Sequence, residues 1–152
     1  MNDFKYFRGV LTFAIKKYNG LKRQNENIPY FIHPLRICTI LRAAGYNEYK
    51  NPELMIAALL HDLIEDTSTS RNEIREKFGV KVANIVVELS KKPKEKKEAY
   101  LNSLEYASKE AKIIKMADRI DNLLDMTISG WNKQKKIKYA KHGQLILRIC
   151  GS

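Results

Sequence analysis

The stretch Ala57-Ala58-Leu59-Leu60-His61-Asp62-Leu63-Ile64-Glu65-Asp66-Thr67 limits what this chain can fold into more than any other. An apolar run stops abruptly at one histidine and three carboxylates within six residues. On a helix at about 100° per residue, His61, Glu65, Asp62 and Asp66 fall within an arc of roughly 140°, with Leu60, Leu63 and Ile64 opposite. One helix would then carry core on one face and a dense anionic cluster on the other. Three carboxylates so close repel one another and lose hydration when partly buried. A bound cation is the simplest compensation; a solvated acidic last turn is the alternative. The apolar lead-in favours a site, because a helix this apolar should lie deep in the fold.

A chain of 152 residues makes one domain, 1–152, with one substantial core. No uninterrupted apolar run reaches the ~18 residues of a membrane span. The N-terminus mixes Asp3, Lys5 and Arg8 with aromatics and does not read as a signal peptide. Cys38 and Cys150 form no CxxC pair and sit in apolar helical contexts, so reduced thiols and a cytoplasmic location are expected. The net charge of +11 points to an anionic partner, whether nucleotide, nucleic acid or acidic membrane.

Helical signals dominate the rest. Phe7, Val10, Leu11, Ile15 and Tyr18 repeat at helical spacing in a first helix from about Phe4, closed by Gly20. Lys22 to Ile28 reads as a polar loop, and Pro34 opens a second helix that ends before Gly45. Asn51-Pro52 supplies an N-cap and a first-turn proline for the central helix. Ser70 and Glu73 match a capping box. The valine-rich segment Val80 to Leu89 is assigned as helix, since no partner strand is visible elsewhere. The basic run 91–97 reads as a solvated loop, His142 as a surface residue and Trp131 as a helix-start anchor. Further helices span Glu98 to Ala107, Ser108 to Met126 and Trp131 to Ile149. The expected architecture is all-α, a single-domain bundle of about seven or eight helices.

Three places can supply metal ligands: His33, the His61-Asp62 pair, and Asp118 in the segment 115–123 (KMADRIDNL). In that last helix Met116, Ala117, Ile120, Leu123 and Leu124 share one arc, which should be core. Asp118, Asn122 and Lys115 share another. Two imidazoles and two carboxylates suit Mn²⁺, Fe²⁺ or Zn²⁺ better than Ca²⁺. Four protein ligands on an octahedral ion leave two positions for water and a substrate oxygen, as metal-assisted hydrolysis needs.

The set His33-Pro34, His61-Asp62, Glu65-Asp66-Thr67 and Asp118 resembles the HD-domain metal-dependent phosphohydrolases. Within them it is most similar to the hydrolase domain of the RelA/SpoT alarmone enzymes and their small stand-alone relatives. Pro29-Tyr30, Phe78-Gly79, Val82-Ala83 and Lys115 through Leu123 extend the match to about residues 5–146. The resemblance implies an HD-type helical bundle, free-standing, with His33, His61, Asp62 and Asp118 on a metal, usually Mn²⁺. It implies that Glu65 and Asp66 act on or position the attacking water. Lys22, Arg23, Tyr30, Lys115, Asn122 and Tyr139 would contact the nucleotide or its phosphates. The implied reaction is removal of the 3′-diphosphate from ppGpp-like nucleotides.

Three departures bear on the pocket: Lys16-Lys17-Tyr18-Asn19-Gly20-Leu21 stands where the family often has a histidine followed by Gly-Gln, the usual Arg-Lys pair appears as Lys22-Arg23, and Asn27 replaces a common glycine before Pro29. A second reading keeps the metal and changes the substrate to another phosphorylated nucleotide, dinucleotide or deoxynucleotide. A third, a nucleic-acid-binding module, draws on the charge, the basic segment Lys133 to Lys141 and eight tyrosines, but a binder gains nothing from a buried acidic cluster.

Overall fold

The computed structural model describes residues 3–23 and 27–151. In chain order the helices are α1 (Asp3–Lys17), α2 (Ile32–Ala43), α3 (Pro52–Leu60), α4 (Leu63–Asp66), α5 (Arg71–Phe78), α6 (Val80–Leu89), α7 (Lys97–Glu105), α8 (Lys109–Ile128) and α9 (Lys133–Cys150). Only α4 is a single turn of four residues, so the expected bundle of seven or eight helices holds. No strand forms among the described residues. One isolated antiparallel bridge, Lys22 with Pro29, closes the polar loop, whose middle residues 24–26 lie outside the described residues.

The fold is organised around α3. Every residue from Leu54 to Leu60 is buried, so this helix has no solvent face and packs against α1, α2, α6 and α8. Pro52 sits at its first turn as expected, though Asn51 makes no side-chain cap. Ser70 does cap α5, its hydroxyl accepting from Glu73 N–H at 3.2 Å. The Glu73 carboxylate pairs with Lys17 on α1 instead of closing the box. Val80–Leu89 is helical, burying Val82, Ala83, Ile85, Val86 and Leu89. A second, smaller apolar cluster joins Tyr100, Leu101 and Leu104 of α7 to Ile146 and Cys150 of α9.

Two expectations need correction. The acidic cluster does not lie on one continuous helix. His61 Nδ1 bonds the Ala58 carbonyl at 2.9 Å, the acceptor that Asp62 N–H would use in an unbroken helix. The Asp62 N–H turns instead to the Tyr18 hydroxyl at 3.3 Å. The helix therefore breaks at His61-Asp62 and restarts as α4.

Ile120 and Leu124, expected in the core, are 41% and 59% exposed. Asp118, Asp121 and Asp125 are buried in their place, beside Ala111, Ile114 and Ala117. The inward face of α8 is anionic because it is matched there by basic side chains from elsewhere in the chain.

Candidate metal centre

His33 is delivered by the first turn of α2, His61 by the end of α3 and Asp118 by the middle of α8. All three are buried, and one ligand atom from each lies within 4.8 Å of the others. Asp62 joins them, its Oδ2 lying 2.8 Å from His61 Nε2 and 3.7 Å from His33 Nε2. His33 Nε2 is 3.2 Å from Asp118 Oδ1. Three of the four residues singled out in the sequence, His33, His61 and Asp118, thus come together, with Asp62 beside the two histidines.

The outer partners aim these groups. His33 Nδ1 and Asp121 Oδ2 are 2.6 Å apart, so an Nδ1–H donated there leaves Nε2 facing the cluster. The Ala58 carbonyl does the same for His61. The Tyr30 hydroxyl donates to Asp62 Oδ2 at 2.6 Å, and Lys115 Nζ donates to Asp118 Oδ2 at 2.9 Å. Asn122 donates its amide to Asp118 Oδ1.

A divalent cation fits this centre. His61 Nε2 is buried and, although close to Asp62, has no aligned hydrogen-bond partner. A nitrogen lone pair left open beside carboxylates is what a metal would use. The electrostatics agree. Burial disfavours charge on His33, yet Asp118 and Asp121 outweigh it and raise its pKa to about 9. Burial likewise pushes the Asp118 carboxyl up, but Lys115 and His33 prevail and hold it well below the carboxylate range. Positive charge is strongly favoured at this point.

Asp121, which sequence reasoning passed over, holds His33. Asp121→Asn is expected to weaken metal binding ~10–100-fold, the usual cost of losing an outer-shell partner. Titration of metal-free protein with Mn²⁺ checks this; unchanged affinity would show that Asp121 does not orient the ring.

Two cavities adjoin the centre. The first, about 440 Å³, is lined by Lys22, Arg23, Tyr30, Asp66, Asn122 and Tyr139, together with Leu21, Asp125 and Trp131. Five of the six expected nucleotide contacts therefore share one cavity with Asp66. Arg23 is anchored by Asp125, by Asn122 Oδ1 at 3.0 Å and by the Tyr30 ring at 5.7 Å. Trp131 is more than a helix-start anchor, since its ring meets Tyr139 edge-on at 5.3 Å in the cavity wall. Asn27, where relatives are expected to carry glycine, has φ of 51°. Asparagine is one of the few residues that tolerates this left-handed conformation, and its Oδ1 accepts from Lys22 at 3.1 Å.

The second cavity, about 210 Å³, contains Glu65, Lys115, Lys97, Arg119 and His142. The break before α4 thus sends neighbouring carboxylates to different places. Glu65 accepts the Lys91 backbone N–H at 2.9 Å. Asp66 faces the first cavity, and burial together with the charges of Asp62 and Glu65 pushes its carboxyl above the ordinary value.

The HD-domain family model matches residues 11–146, and the chain belongs to this family. Among curated relatives, the guanosine-3′,5′-bis(diphosphate) 3′-pyrophosphohydrolase MESH1 of Xenopus tropicalis is 37% identical over 84% of this chain and 75% of its own length. The enzyme of that activity from Aquifex aeolicus is 36% identical over 82% of this chain, which spans 18% of that longer protein. Among solved structures, one described as a metazoan ortholog of SpoT that hydrolyzes ppGpp superposes with a TM-score of 0.86. The match is 27% identical and covers 95% of this chain and 85% of that one. No helix among the described residues is long and apolar enough to cross a membrane.

Proposed function

We propose that this protein is a metal-dependent nucleotide 3′-pyrophosphohydrolase acting on ppGpp-like alarmones. The observation that carries the reading is the junction of the His33, His61 and Asp118 cluster with a cavity of small-molecule size lined by Lys22, Arg23, Tyr30, Asn122 and Tyr139. The printed activity of the relatives supports the same substrate.

His33, His61, Asp62 and Asp118 would hold the metal, for which the mixed nitrogen and oxygen set favours Mn²⁺ among divalent ions. When bound, such an ion supplies Lewis acidity, which lowers the pKa of water and offsets charge on phosphoryl oxygens. The protein's own groups do the rest. Arg23, fixed by Asp125 and Asn122, presents a cation and Tyr30 an aromatic face to the nucleotide. Asp66, with its raised pKa, is suited to take a proton from the attacking water, and Glu65 orients it from the other side. Water oxygen bonds to the phosphorus on the ribose 3′ oxygen, and that P–O bond breaks. The 3′ oxygen takes a proton and pyrophosphate is released. The buried, unpaired Cys38 and Cys150 support a reducing, cytoplasmic setting.

The test is incubation with ppGpp and Mn²⁺, followed by chromatography. GDP and pyrophosphate are expected; turnover of a different phosphorylated nucleotide alone would reassign the substrate. Lys22 is exposed and pairs locally with Asn27, so Lys22→Ala should raise KM several-fold with little change in kcat. An equal fall in kcat would place Lys22 in the transition state instead.

A further inference from the structure

The second cavity is lined by the cations Lys91, Lys97, Lys115 and Arg119 and by His142, whose pKa burial and the charges of Lys97, Arg119 and Lys115 lower to about 4. Arg119 is 6% exposed, yet its Nε and Nη1 are buried with no hydrogen-bond partner. Both ring nitrogens of His142 are likewise buried without a partner. The Arg119 guanidinium is held by its other contact, the Tyr139 ring at 4.6 Å, which keeps it in place without neutralising it. Lys97 enters from the start of α7, and Lys115 is already engaged by Asp118. Against these, Glu65 is the one carboxylate in the lining. Burial, then the charges of Arg119, Lys138, Lys115 and Lys91, depress the Lys97 ammonium pKa, as expected where positive charge accumulates. A buried guanidinium without partners is costly, and an anion offering several acceptor oxygens removes that cost.

Position and size narrow the anion. Asp118 contacts Asn122 of the first cavity and Lys115 of the second, so one proposed metal ligand touches the lining of both. At about 210 Å³ the second cavity falls below the ~300–1,000 Å³ typical of sites for whole small molecules, whereas the first falls within it. A phosphate group matches its size and its basic lining.

We propose that Lys97, Arg119 and His142 form a subsite for the terminal phosphate of the 3′-diphosphate, with the nucleoside in the first cavity and the scissile phosphorus at the metal centre between them. The proposal rests on the pyrophosphohydrolase reading and extends it. The subsite makes the enzyme select a 3′-diphosphate over a 3′-monophosphate, and it holds pyrophosphate after the 3′ oxygen departs.

The experiment uses metal-loaded wild-type protein and the variants Lys97→Gln and His142→Gln. Lys97 is exposed at a helix start, so its replacement leaves the core intact, and circular dichroism checks both variants. Isothermal titration with inorganic pyrophosphate should show affinity reduced about tenfold or more in each variant, the scale of one lost charge-assisted hydrogen bond. Orthophosphate affinity should change less. The ratio of kcat/KM for a 3′-diphosphate nucleotide to that for its 3′-monophosphate counterpart should fall by a similar factor. Unchanged pyrophosphate affinity in both folded variants, or an unchanged substrate ratio, overturns the subsite. If wild-type protein turns over neither nucleotide while pyrophosphate binding still depends on Lys97 and His142, the subsite stands and the alarmone reading falls.

Discussion

His61→Ala should yield a folded protein that holds no divalent metal and has no measurable turnover. The side chain does two jobs: Nδ1 is pinned to the Ala58 carbonyl, and Nε2 is presented, unpartnered, to Asp62 and the His33–Asp118 pair. Loss of a direct ligand must exceed the ~10–100-fold in affinity that loss of an outer partner costs. It also leaves Asp62 and Asp118 with one less positive or metal-bound neighbour in a buried place. Alanine favours the helical state at the end of α3, so far-ultraviolet circular dichroism should be nearly unchanged. Metal analysis of the purified variant, with activity alongside, is the check. Full activity of the wild type in strong chelator, with no metal detected, would remove the metal assignment altogether.

Asp66→Asn and Glu65→Gln should each retain the metal and lose ~10²–10⁴-fold in kcat, the usual contribution of general acid–base catalysis. Neither carboxylate lies in the His33, His61, Asp118 cluster, so metal content separates this effect from the first. Asp66 opens to the first cavity with its pKa raised, and Glu65 is held by the Lys91 N–H toward the second cavity. The amides keep the shape and remove the proton acceptor. Near-normal rates in both variants would show that the two carboxylates are bystanders.

The four proposed ligands stood out in the sequence through their motifs and order, and the fold brings His33, His61 and Asp118 within 4.8 Å of one another. Helix number and type were legible from periodicity, except for Val80–Leu89, which is read as helix because no partner strand is visible elsewhere in the sequence. The break at His61-Asp62 was not, because it depends on a side chain competing with its own backbone for the Ala58 carbonyl. Nor was the orientation of α8, where periodicity offers two faces and hydrophobicity chooses the wrong one. The signal that would have corrected it was the stripe Asp118, Asp121, Asp125, three acids at helical spacing opposite Ile120 and Leu124. His142 read as surface because its helix is basic. Its place one turn before Ile146, on the side of α9 that meets α7, was available but carried no motif. Arg119, next to Asp118 in sequence, stacks on Tyr139 in the fold and leaves that carboxylate to Lys115 and Asn122.

The inward-facing acids of α8 also say something about the order in which this chain can become itself. Asp125 is met by Arg23 and Arg36, 102 and 89 positions earlier, and Asp121 by His33, 88 positions earlier. None of these partners is local, so each demands closure of a loop most of the chain long before it returns any stabilisation. Until then the acidic stripe is better served by water, and the apolar residues opposite offer the helix a rival way to dock. The centre is therefore assembled by the two ends of the sequence meeting, and its geometry is inherited from the completed topology rather than from any segment within it.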